Sequence, residues 1–98
     1  MFRDVIREAK SEYEIYFLLT SYIEAVRFGD QLNVVPESVK DLPLDGGRVK
    51  QQYQKLVELD RHAAGNAKAV IDEALPIFKS ALDRLEALSG ERRPAGYA

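Results

Sequence analysis

Residues 2–28 read FRDVIREAKSEYEIYFLLTSYIEAVRF, with no proline and no glycine before Gly29. Placed at 100° per residue, Phe2, Ile6, Ala9, Tyr13, Tyr16, Thr20 and Ile23 fall on one face, and Asp4, Arg7, Ser11 and Glu14 gather opposite. From Ile6 onward the apolar spacing alternates between three and four, which is the seam of a helix packed in a bundle. The stretch predicts one long helix over 2–28. Gly29 would end it in the left-handed conformation, with Arg27 in the last turn facing the negative end of the helix dipole.

The period fades between Asp30 and Gly47, where Pro36 and Pro43 interrupt the chain. Residues 35–39 can form a single helical turn with Pro36 at its first position. Leu32, Val34, Val35, Val39, Leu42 and Leu44 are more apolar residues than a flexible linker carries, so an ordered crossover is expected here. Asp45 is placed to cap the helix that follows, with Leu44 and Val49 spaced as a hydrophobic staple.

The seam then resumes through Val49, Tyr53, Leu56, Asp60, Ala63, Ala67, Val70, Ala74, Ile77 and Ala81. Its unbroken phase argues for one helix over 46–88, bent at Pro76, which removes one helical hydrogen bond. Gly65 and Asn66, with His62 just before them, argue instead for a stop and a restart. The fold class expected is all-α, a small helical bundle: a long N-terminal helix, an ordered crossover, then a helical hairpin or one long bent helix. Residues 1–88 make a single domain, and 89–98, aperiodic with two glycines and a proline, a flexible C-terminal tail.

At 98 residues the chain has a thin core, burying roughly 60–65% of the surface it exposes when unfolded. Its 46% apolar and 31% charged residues argue against a disordered chain. Fourteen basic against sixteen acidic residues give −2, which is no electrostatic footprint for nucleic acid. The lack of cysteine excludes disulfides, thiolate zinc sites and cysteine nucleophiles. The longest apolar run, from Ile15 to Leu19, falls far short of the roughly 20 residues of a spanning helix. No apolar core of a secretory signal is present near Met1. A cytoplasmic protein without nucleic-acid or membrane partners is expected.

Catalytic constellations are scarce. His62 is the one histidine, so paired Glu-x-x-His ligands for two irons cannot form, and Ser11, Ser21, Ser38, Ser80 and Ser89 share one candidate base. Gly46 and Gly47 lack the Gly-Lys-Ser/Thr ending of a phosphate loop. Glu8, Glu12, Glu14, Asp72 and Glu73 read as solvated helix acids. The chain is therefore not expected to be an enzyme, and no catalytic, cofactor-binding or metal residue is assigned.

Two features exceed this background. Asp60 occupies a seam position, where a carboxylate needs donors; Tyr13 and Tyr16 are level with it if the first two long helices run antiparallel, which makes Tyr13, Tyr16 and Asp60 a candidate ligand pocket. The second feature is surplus apolar surface. Leu18, Tyr22 and Phe28, with Ile15, Phe17 and Leu19, leave the first helix apolar on nearly every side, Ile15, Leu18, Leu19, Tyr22 and Phe28 being the interface candidates, and Ile71, Leu75, Phe78 and Leu82 widen the last stripe to about 160°. Excess of this kind marks an interface, most commonly a twofold homodimer or a groove for a partner helix. The function expected is a small helical interaction or regulatory protein, homodimeric by sequence pattern, with a ligand-binding bundle as the alternative.

Overall fold

The computed structural model describes residues 2–29 and 37–91. It is 83% helical with no strand among the described residues, so the all-α class stands. The N-terminal stretch, however, is two helices, α1 (Phe2–Arg7) and α2 (Glu12–Phe28), where the period predicted one. Local hydrogen bonding makes the break. Ser11 is extended (φ −146°, ψ 161°), and its hydroxyl accepts from the Glu14 amide at 3.2 Å. Glu14 Oε2 in turn accepts from the Lys10 amide at 2.9 Å. This reciprocal Ser-x-x-Glu arrangement is a close variant of the capping box and starts a new helix. The apolar phase resets across it: Ile6 and Ala9 are buried before the break, and Ile15, Leu19, Tyr22 and Ile23 after it. Tyr13, placed on the seam by an unbroken helix, points to solvent instead.

Gly29 ends α2 at φ −78°, not in the left-handed region, and its amide donates to the Ala25 carbonyl at 3.1 Å. Residues 30–36, with Leu32, Val34, Val35 and Pro36, lie outside the described residues. The rest of the crossover is tied down. It contains α3 (Glu37–Lys40), and Val39 and Pro43 are buried. Gln52 Nε2 donates to the Asp41 carbonyl at 2.7 Å, and Arg27 Nη2 to the Lys40 carbonyl at 3.1 Å.

Asp45 caps α4 (Gly46–Asp60) as expected, its Oδ1 accepting from the Arg48 amide at 2.8 Å. Val49 is buried but Leu44 is exposed, so the expected staple between them is not made. After Asp60 the chain stops and restarts. The amides of Arg61 and His62 turn back to the carbonyls of Glu58 and Leu59, tightening the last turn. Gly65 then opens α5 (Gly65–Glu91) at φ +60°. A Cβ there would meet nothing within 4 Å, so the glycine serves backbone conformation rather than space. The expected seam survives the break, with Val49, Leu56, Val70, Ala74, Ile77 and Ala81 all buried. Pro76 lies within α5, which continues to Glu91, three residues past Leu88; residues 92–98 of the expected tail lie outside the described residues.

α4 and α5 form an antiparallel hairpin: Asp60 meets Lys68 at one end, and Gly46 approaches Leu85 at the other. α2 also runs against α5, with Tyr22 beside Phe78, whereas α1 runs along it, Ala9 reaching Arg84. α5 is thus the spine, packed by α1, α2 and α4. This explains its wide stripe. Ile71 and Phe78 are fully buried and Leu75 and Leu82 pack on the core, so residues that looked surplus in sequence are consumed within one chain.

Candidate functional site

The three residues expected to form a pocket do not come together. Tyr13 is 81% exposed on the outside of α2. The Tyr16 hydroxyl stands at the start of α4, 3.8 Å from where a Cβ on Gly46 would sit. Asp60 ends the same helix, about 21 Å away at 1.5 Å per residue. Its Oδ1 accepts from Lys68 Nζ at 2.8 Å, and Lys68 also reaches Asp72 at 3.3 Å. The hydrogen bond from Lys68 holds the Asp60 carboxyl below its ordinary value, and the same bond holds the Lys68 ammonium above its own. The cluster latches the α4–α5 turn.

The expected interface is likewise rearranged. Ile15, Leu19 and Tyr22 are core residues of the single chain, and Leu18 is half-buried against that core. Phe28 alone of the five stands open, at 91% exposed. It is joined on the outer face of α2 by Tyr13 and by Phe17, which is 69% exposed. At 100° per residue these three aromatics lie within about 60° of one another and span about 22 Å. They face away from Ile15, Leu19 and Val26. Between them Ser21 donates to the Phe17 carbonyl at 3.1 Å and Glu24 pairs with Arg27 at 3.4 Å. Phe17 belongs to the apolar helix middle but not to the five interface candidates, and the Ser11–Glu14 capping pattern, by resetting the phase, is the signal that places it on this face.

A groove of about 590 Å³ opens between α1, α2 and α5. Phe2, Tyr22, Val26, Pro76 and Ile77 supply apolar wall, while Arg3, Asp4 and Glu73 supply charge. Tyr22 is held edge-to-face between Phe2 (centroids 5.5 Å apart) and Phe78 (6.5 Å). The residue is 6% exposed, and no described residue hydrogen-bonds its hydroxyl. Burial, aided by the charge of Glu73, pushes the phenol up to about 12. A groove of the same size at the other end, beside Tyr16, Lys50 and Glu86, has a more polar wall and contains the Lys79–Asp83 pair at 3.2 Å. Deep in the core, a cavity of about 20 Å³ bounded by Ile23, Val39, Leu56 and Ala74 is apolar and has room for one water at most.

Among the described residues no three His, Cys, Asp or Glu side chains are grouped to hold a metal, and no helix is long and apolar enough to cross a membrane. His62 is exposed just after α4. No family model matches the chain, and neither a curated protein nor a solved structure does.

Proposed function

We propose that the chain is a small helical interaction protein, working by contact rather than turnover, whose contact surface is the outer face of α2 and whose first partner is a second copy of itself. One observation carries this reading: Tyr13, Phe17 and Phe28 stand 81%, 69% and 91% exposed on one helix face. Scattered exposed apolar residues need no explanation, but three large aromatics aligned on a single face make a patch that gains by being covered. The stripe also suits a twofold axis. A second α2 laid antiparallel sets Tyr13 of one copy against Phe28 of the other, with Phe17 inboard on both, which is the self-matching pattern of an isologous dimer. A cytoplasmic site of action belongs to the same reading, on the lack of cysteine in the sequence.

The test is absolute mass by light scattering across a wide concentration range. A dimer of twice the chain mass is expected for the wild type, with Phe17→Glu monomeric at every concentration and unchanged in helicity. A wild type that stays monomeric, or a Phe17→Glu variant that still dimerises, overturns the reading.

A further inference from the structure

We propose that the groove between α1, α2 and α5 binds a small organic ammonium compound, its charged head held by the Glu73 carboxylate and the Tyr22 hydroxyl and its apolar body laid on Phe2, Pro76 and Ile77. The groove, at about 590 Å³, lies within the 300–1,000 Å³ typical of small-molecule sites.

Tyr22 supplies the first argument. Its ring is fixed by Phe2 and Phe78, no described residue hydrogen-bonds its oxygen, and that oxygen is open to solvent rather than sealed in the core. The side chain lines the groove together with Glu73.

Glu73 supplies the second. Its neighbours one turn away on α5 are Ala69, Val70, Pro76 and Ile77, none of them polar. Asp72 and Asp83 on the same helix each pair with a lysine four residues off. Glu73 has no ion pair among the described residues, so a carboxylate is offered to the groove from an apolar wall.

These two groups select the charge of the ligand. An ammonium has three donors, of which one suits a Glu73 oxygen, one the Tyr22 oxygen and one water. The Phe2 ring in the groove wall adds a π system that attracts a cation. An anion would have to rely on Arg3 while lying against Glu73 and Asp4. Ala25 and Val26 on α2, with Pro76 and Ile77 on α5, give part of the groove an apolar wall, which suits an aromatic or branched alkyl body.

The experiment titrates phenethylamine, protonated at neutral pH, into the full-length chain and follows amide shifts by NMR. Saturable binding at millimolar concentration is expected, with the largest shifts at Phe2, Tyr22 and Glu73. Glu73→Gln, an exposed substitution that leaves the fold intact, should weaken binding about tenfold, equivalent to about 1.4 kcal/mol. Tyr22→Phe should weaken it several-fold, and hydrocinnamate, an aromatic acid of similar size, should not bind. Phe17→Glu should bind as the wild type does, which separates this site from the outer face of α2. Absence of saturation, equal affinity of Glu73→Gln, or equal binding of the carboxylate overturns the proposal.

Discussion

Arg84 Nε on α5 donates to the carbonyl oxygen of Ala9 across 2.6 Å, joining the spine of the bundle to the break between its first two helices. The break creates the need for this bond. Ala9 follows the end of α1 and is fully buried, so its carbonyl has lost the helical partner a continuous helix would have provided. A buried carbonyl left unpaired costs about 1–3 kcal/mol, so a fixed cationic donor beside it is a substantial contribution. Ser11 and Glu14 close the break from one side, and Arg84 closes it from the other.

Arg84→Met keeps most of the apolar stem and removes the donor. It should lower the unfolding free energy by about 1.5–3 kcal/mol, the range for a hydrogen bond to a charged group. In urea the midpoint should fall with little change of slope, and α1 amides should exchange faster than those of α4. A midpoint equal to the wild type would show that water serves Ala9 as well as Arg84 does.

Gly65 offers a cleaner test of backbone strain, because φ is +60° and no atom lies within 4 Å of a built Cβ. Steric clash is absent, so Gly65→Ala should cost only the left-handed penalty of about 1–2 kcal/mol, and Gly65→Asn distinctly less. Thermal unfolding of the three proteins orders them Gly, Asn, Ala from most to least stable. If Gly65→Ala proved the most stable, the turn would have given way to one continuous helix from α4 into α5.

That continuous helix was the alternative the period itself supported, and it shows where sequence reasoning holds and where it fails here. Val49, Leu56, Val70, Ala74, Ile77 and Ala81 were legible as core because a 3.6-residue period survives a short turn that preserves phase. The Asp45 cap was legible because its chemistry is local. Ser11-x-x-Glu14 is equally local, yet the long apolar period around it masks it, and counting phase from Phe2 sends Tyr13 inward and leaves Phe17 outside the interface candidates.

The groove was not legible at all. Phe2, Tyr22 and Glu73 sit on three helices, and only the packing of both α1 and α2 on α5 brings them together. The width of the α5 stripe was visible, but its meaning depends on how many neighbours a helix has. A helix packed by α1, α2 and α4 needs a wide stripe to complete a single chain.

The latch at the α4–α5 turn predicts a pH dependence with a definite sign. Lys68 bonds to Asp60 and holds its carboxyl below the ordinary 3.8. A depressed folded-state value means the contribution is complete above about 3.8 and is lost as pH falls through the lower, folded value. The wild type should therefore lose stability between mildly and strongly acidic pH more steeply than Lys68→Met. Parallel acid-side melting curves for the two proteins would remove the latch from the account.

Gln52 is the test of whether the crossover is held by polarity or by packing. It is fully buried in α4, and its Nε2 donates to the Asp41 carbonyl at 2.7 Å, but its Oε1 has no partner among the described residues. Gln52→Met exchanges one hydrogen bond, worth about 0.5–1.5 kcal/mol, for relief of an unpaired acceptor that costs about 1–3 kcal/mol. The relief is the larger effect, so this variant should be as stable as the wild type or slightly more so. Gln52→Glu should behave oppositely. Its carboxylate would be buried beside the Asp41 carbonyl with no donor to give, which costs several kcal/mol and makes the group titrate well above the usual carboxylate range. Unfolding in urea at neutral and acidic pH separates the outcomes: Gln52→Glu should recover part of its loss as the pH falls, while Gln52→Met should follow the wild type at both. A large loss in Gln52→Met would mean that the bond to Asp41 is what keeps α3 and the rest of the crossover on α4.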